Sequence, residues 1–258
     1  LKIMDCLLQD PALNTSAAGY MELAWNERAR QPAFVDADAG NRDGEEAWLF
    51  AQGEQRARMV IDPVLEAYDI AARQCLALDH GCGHGCLTRA LARRFDEVVG
   101  IDVSPGLIAQ ARHLNRTIGN AGFVAADGAS VPAVNGCVHF LFSDQAFRHM
   151  PSLVAIQANL RDLARVLVAD GYGLIRFAVL RDSAAPVPVP PEISAAPRPK
   201  SQMRTSHPDW RCVEPLGKDE IARLCRGAGF DVLEFRDDPT DPGDRGPLAV
   251  LRRGPDPA

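Results

Sequence analysis

An α/β domain built on a mostly parallel sheet is the fold this sequence predicts, and three observations predict it. Leu76-Ala77-Leu78-Asp79 is a short apolar run ending on a carboxylate, and glycines at 81, 83 and 85 follow on alternate positions. An amphipathic stretch then begins, with Leu87, Ala90, Leu91 and Phe95 on one face at helical spacing. Apolar runs go on alternating with helix-length segments further along the chain, which implies parallel strands joined by right-handed crossovers. Finally, 258 residues with 47% hydrophobic and 24% charged content can support one large domain with a full core.

Taken in order, residues 1–15 have no clear period and read as a loose arm. A helix is expected from Ser16 to about Arg30, carrying Tyr20, Leu23, Ala24 and Trp25, followed by a polar connection from Gln31 to Glu45. Glu54–Tyr68 reads as helical, with Asp62-Pro63 either a kink or a fresh N-cap with proline at the first helical position. Residues 1–69 therefore read as an N-terminal arm and helical cap, and 70–258 as the main domain. There, strands are expected at 75–79, 97–102, 122–126, 137–143 and 172–179. Helices are expected at 86–95, at 105–115 behind Ser104-Pro105, and at 154–168, where Ile156, Leu160, Leu163 and Leu167 form one stripe.

Arg181–Gly217 breaks this rhythm with eight prolines and no helical period. It reads either as a polyproline-like surface excursion or as part of a substrate cover. The second reading follows from its position beyond a central strand end, where open α/β sheets bind ligands. A last helix at Asp219–Arg226 and strands at Phe230–Phe235 and Leu248–Arg252 complete the chain before a short tail.

Bulk properties narrow the function. A net charge of −6 offers no general attraction to polyanions, which disfavours a nucleic-acid substrate. No 18-residue apolar run marks a membrane span, and Leu1–Leu8 is too short and too charged for a signal peptide. Seven scattered cysteines point to a reducing compartment, hence a cytoplasmic protein. His80, Cys82, His84 and Cys86 are all residue types that bind zinc. Ligands at every second residue do not match the spacing that closes a tetrahedron, so no metal is expected. A dinucleotide fingerprint would need glycine at 86 or 88, where Cys86 and Thr88 stand, so the nicotinamide reading fails at its third glycine.

What Asp79–Gly85 does match is D-x-G-x-G-x-G, and five further segments accompany it in order: Val98–Pro105, Gly122–Gly128, Phe140–Met150, Arg165–Gly173 and Gly227–Phe230. Together they resemble the class I S-adenosylmethionine (SAM)-dependent methyltransferases, in particular the small-molecule branch with a methyltransferase type 11/12-like domain. The resemblance spans roughly residues 70 to 252. Cys86 and Ala169-Asp170 depart from the family pattern and leave the subfamily open. The resemblance implies a Rossmann-like, seven-stranded, mostly parallel sheet of order 3-2-1-4-5-7-6, helices on both faces, and an antiparallel last strand. It also implies SAM as cofactor, S-adenosylhomocysteine as product, and methyl transfer to an O or N atom of a small-molecule metabolite. The alternative is a SAM- or nucleotide-binding protein without turnover, acting through protein contacts.

Each part of SAM makes a separate demand, and the resemblance assigns residues to meet it. Asp79 would meet the methionine amino group, while Gly81 and Gly83 let backbone approach where a Cβ would clash. Asp102, with Val103, would hold the ribose hydroxyls. Asp127 and Gly128 would meet the adenine, and Ser143 completes the cofactor set. His149 is the candidate general base, with Asp144 and Gln145 as substrate-orienting groups. Tyr20 and Trp25 would cover the site, their aromatic faces suiting the sulfonium. Each has a plainer reading beside it: a helix-capping acid for Asp79, turn starts for Asp102 and Asp127, backbone bonding for His149, and core packing for the two aromatics.

Overall fold

The computed structural model describes residues 26, 42–70, 75–150, 152–177, 216–239, 246 and 248–255. Tyr20, Trp25 and nearly all of the proline-rich segment lie outside them. The elements are α1 (Arg42–Arg56), a π-helical turn (Ala57–Ile61), α2 (Asp62–Ala67), β1 (Leu76–His80), α3 (Cys86–Leu91) and β2 (Glu97–Asp102). Next come α4 (Pro105–Leu114), β3 (Ala121–Ala125), β4 (Val138–Ser143), a 3₁₀ turn (Ala146–His149) and α5 (Leu153–Val166). The chain closes with β5 (Leu167–Arg176), α6 (Lys218–Arg226), β6 (Phe230–Arg236) and β7 (Leu248–Arg253).

The seven strands form one sheet in the order β3-β2-β1-β4-β5-β7-β6. β7 runs antiparallel to both neighbours, and the pairings among β1 to β5 are parallel, as expected. The central strands feed two main cores, while Phe123 of β3 packs in a smaller cluster with Cys82, Ile108 and Ala111. Leu78, Ile101, Leu141, Ile175 and Leu251 pack with Ile156, Leu160 and Leu163 of α5 and Ile221 of α6. Ala77, Val98, Phe140, Phe142, Leu174 and Val250 face the other way, onto Leu91 of α3 and Ala57, Val60, Ile61 and Val64.

Among the boundaries that differ from expectation, such as the helix expected over 86–95 that ends at Leu91, three have an identifiable physical reason. The polar stretch expected to run as a connection to Glu45 is already helical at Arg42, because it leads into a run of strong helix formers. The helix expected over Glu54–Tyr68 is interrupted by the π turn. Pro63 has no N–H to donate, and the Asp62 N–H reaches back five residues to the Ala57 carbonyl. Helix α5 stops at Val166 rather than 168, because Leu167 pairs with Val138 and starts β5 early. Asp170, at a φ of 60°, carries the bend between the two pairing stretches. Among the described residues no helix is long and apolar enough to cross a membrane.

Candidate functional site

The glycine loop after β1 is shaped by its neighbours. Gly81 and Cys82 both donate N–H to the Ile101 carbonyl at the end of β2, at 2.8 and 2.9 Å. Gly81, Gly83 and Gly85 all lie at positive φ, the conformation that glycine adopts without a Cβ penalty. Their surroundings differ. A Cβ on Gly81 would strike Ala146, and one on Gly85 would strike Phe123 and Asn115. One on Gly83 would meet nothing within 4 Å, so bare backbone there faces open space.

That space is a cleft at the C-terminal ends of β1 and β2. It is lined by His80, Gly81, Gly83, Asp102, Val103 and Gly128, with apolar walls from Ile101, Leu107, Ala126, Ala146 and Met150. Ser130, Gln145, His149 and Asn159 complete its lining. Of the residues named from the sequence, Gly81, Gly83, Asp102, Val103, Gly128, Gln145 and His149 are thus brought together. Asp79, Asp127, Ser143 and Asp144 stand around this cleft without lining it. His80, Ser130 and Asn159 are the polar residues that motif reading missed. The apolar setting of a strand end gave no signal for His80, and Asn159 lies in mid-helix, far from any motif.

Asp102 accepts from the Gly83 N–H at 3.0 Å and the Ser104 N–H at 2.9 Å, so it ties the glycine loop to the start of α4. Burial pushes its pKa up, against the pull of these backbone donors. Ser104 caps α4 by accepting from Leu107 N–H at 3.1 Å and donates its own hydroxyl to Asn26 Oδ1 at 2.7 Å. Asp79 is fully buried and accepts from the Thr88 hydroxyl at 2.6 Å. Burial, with the Asp144 and Asp102 charges adding to it and the Thr88 bond opposing it, pushes its pKa up to about 7. Asp127 acts as a turn cap, its Oδ1 accepting from Ala129 and Ser130 N–H at 2.9 and 2.7 Å. Burial also pushes the Cys86 thiol up to about 12, which leaves it neutral and a poor nucleophile.

Asp144 belongs to a charge cluster on the far side of the loop. Arg56 Nη2 donates to Asp144 Oδ1 at 2.7 Å and to Asp238 Oδ2 at 2.8 Å. Arg176 Nε donates to the same Asp144 oxygen at 2.7 Å, and its other nitrogens reach Asp238 and the Gly246 carbonyl. Burial alone would lower the Arg56 pKa, but the two carboxylates outweigh it and raise the net value. This quartet ties the end of α1 to the ends of β4 and β5 and to the segment after β6.

A parallel sheet whose reversed strand β7 lies just inside the edge strand β6, with a glycine loop after β1 and an acid at the end of β2, defines a class of fold, and the comparisons with known proteins point to the same class. Residues 77–171 match the model of a family described as a methyltransferase domain. The matched stretch runs from β1 into β5 and contains the glycine loop, Asp102 and His149. Over 69 residues, 25% of this chain, it is 41% identical to the ubiquinone biosynthesis O-methyltransferase of Xanthomonas campestris pv. campestris strain B100. That match spans 28% of the relative's length. Among solved structures, phosphoethanolamine N-methyltransferase 1 of Haemonchus contortus shares the fold with a TM-score of 0.64 at 17% identity. The likeness covers 93% of this chain and 49% of that one. Magnesium protoporphyrin IX methyltransferase of Synechocystis PCC 6803, solved with SAM, gives 0.57 at 17% identity over 95% of this chain and all of its own (100%).

Proposed function

We propose that this protein is a SAM-dependent methyltransferase that transfers a methyl group to an O or N atom of a small-molecule metabolite. The observation that carries the reading is the open space over Gly83, next to the half-buried Asp102 carboxylate at the end of β2. SAM supplies a methyl group already activated as a sulfonium. Asp102 spends one lone pair of each oxygen on the Gly83 and Ser104 N–H groups, and its remaining lone pairs suit two ribose hydroxyls. The apolar walls from Leu107, Ala126 and Met150 suit a flat base. Asp79 lies beneath the loop near the expected position of the methionine tail.

Because the methyl group arrives activated, the chain's own contribution is mainly alignment and exclusion of water, and well-oriented reactants gain on the order of 7–11 kcal/mol. His149 and Gln145 line the cleft and are placed to orient an acceptor or take its proton. Asp144 supports the acceptor side indirectly, since Arg56 and Arg176 both engage it. The test is calorimetric titration with SAM and S-adenosylhomocysteine, then a metabolite screen for transfer of a labelled methyl group. Micromolar binding of both ligands with labelled product supports the reading. Absence of binding ends it, and binding without any product favours a SAM-responsive protein without turnover.

A further inference from the structure

One nearly buried polar chain in the wall of the cleft, which His80 and Asn159 help to line, has no part in that reading. His80, Ser143 and Asn159 are 8%, 0% and 3% exposed, respectively. His80 Nδ1 lies 3.0 Å from Ser143 Oγ, and its Nε2 lies 3.3 Å from Asn159 Oδ1. The Asn159 amide nitrogen donates to the Gly128 carbonyl at 2.9 Å and to Ala155 at 3.0 Å. With both amide hydrogens used, Asn159 Oδ1 must accept, which fixes the proton on His80 Nε2 and leaves Nδ1 an acceptor facing the Ser143 hydroxyl, whose one hydrogen it shares with the His80 carbonyl at 3.1 Å. Burial lowers the His80 pKa to about 4, so the imidazole is neutral at pH 7.

Following the bonds outward shows what this chain holds. The carbonyl that Asn159 grips belongs to the peptide joining Gly128 and Ala129. The N–H at the other end of that peptide donates to Asp127 Oδ1. The same oxygen accepts from Ser130 N–H. The orientation of this one peptide plane is therefore set by Asn159 on one side and the Asp127 carboxylate on the other. Burying a histidine and an asparagine is costly unless all their bonds are made, and an apolar pair would fill the space at less risk. What an apolar pair could not do is fix that plane.

We propose that His80 is a positioning residue which, through Asn159, sets the Asp127-Gly128 turn and so governs how the cleft tells adenine from other bases. The proposal rests on the methyltransferase reading for its ligand, but not for its geometry. Calorimetry with S-adenosylhomocysteine and S-inosylhomocysteine, which carries a carbonyl in place of the adenine amine, reads the effect. The natural protein should prefer the adenine compound. His80→Leu should cut that preference by about tenfold, roughly the worth of one net hydrogen bond. His80→Gln, whose amide supplies both a donor and an acceptor, should restore most of it. Asn159→Ala should match His80→Leu, and combining the two should add little, because they cut one chain of bonds. A ligand-free readout separates the two ideas: amide exchange at Ala129 and Ser130 should speed up in His80→Leu. If the natural protein binds neither compound while that exchange still accelerates, the cofactor reading fails and the positioning link stands. An unchanged preference in His80→Leu, or equal losses for both compounds, overturns the positioning role. Should His80→Leu fail to fold, Asn159→Ala carries the same expectations.

Discussion

A Cβ placed on Gly53 would come within 2.5 Å of the Cys86 carbonyl oxygen, so α1 lies with bare backbone against the first residue of α3. Gly-to-Ala changes inside helices ordinarily stabilise by about 0.5–1 kcal/mol. Here the sign should reverse. Gly53→Ala should destabilise by roughly 1–3 kcal/mol, the usual cost of overpacking, read as a lower urea midpoint. Because α3 opens straight out of the glycine loop, SAM affinity should fall as well. A stabilised variant would show that the two helices have room to part.

Gly83 and Gly85 should respond to valine in different ways. Gly83 is at a φ of 53° with open space beyond, so Gly83→Val costs backbone strain but no internal clash. It should fold and fail to bind SAM. Gly85→Val would drive methyl groups into Phe123 and Asn115 and should not fold stably. Circular dichroism with SAM titration checks both, and intact binding in Gly83→Val would show that the loop faces elsewhere.

Asp102→Ala should weaken SAM by roughly 1.5–3 kcal/mol, the range for hydrogen bonds to a charged group. A cofactor fragment without ribose should lose much less. Equal losses would mean that Asp102 acts only by holding Gly83 and Ser104, the two bonds it makes within the protein.

The two kinds of ion pair in this chain should differ sharply in worth. The Arg176 and Asp238 side chains are each 1% exposed, and Asp238→Ala would leave the Arg56 and Arg176 guanidinium groups sharing the single Asp144 carboxylate, one buried positive charge in excess. A loss of about 3–5 kcal/mol is expected. Arg93, 57% exposed in its pair with Glu54, should cost under about 1 kcal/mol when changed to alanine. Denaturant midpoints of the two variants decide the comparison.

Asp79 and His80, adjacent on β1, pull stability in opposite directions with pH. The His80 pKa is lowered to about 4 on folding, so between about pH 4 and 6.5 the unfolded chain carries a proton that the folded chain lacks. Its contribution falls as the solution turns acid. The Asp79 pKa is raised to about 7, so over the same window the folded chain holds a proton that the unfolded chain has released. Its contribution rises in acid, and the two nearly cancel. Asp79→Asn keeps the Thr88 bond but removes the compensation. Its stability should drop toward acid relative to the natural protein by roughly 1 kcal/mol per pH unit, as measured by denaturation at pH 4.5 and 6.5. Parallel pH profiles would refute this.

Much of the fold was readable because its signals are local. Short apolar runs gave β1 to β4, and Ser104-Pro105 marked the start of α4 to the residue. The loop glycines and Asp102 were legible for the same reason, since backbone curvature and a strand-end acid leave marks in a few consecutive residues. What stayed hidden depends on distant pairing. Leu167 begins a strand only because Val138 lies beside it, and Asp144 reads as a substrate-orienting acid until Arg56 and Arg176 are placed around it. Asn159 looks like any polar residue of an amphipathic helix, and its meaning comes from His80, 79 positions earlier.

The core formed by Ala57, Val60, Ile61 and Val64 has a consequence for the order in which the molecule can be assembled. Leu248 and Val250 of the last strand belong to that same core, and Arg56 meets Asp238 across most of the chain's length. As the chain leaves the ribosome, β1 to β3 emerge close together and can pair early. The apolar side of the early helices, by contrast, stays without its full complement until Leu248 and Val250 have been synthesised. Through that interval the nascent protein presents a greasy surface of the kind that chaperones retain. Loss of residues from 248 onward would make that state permanent.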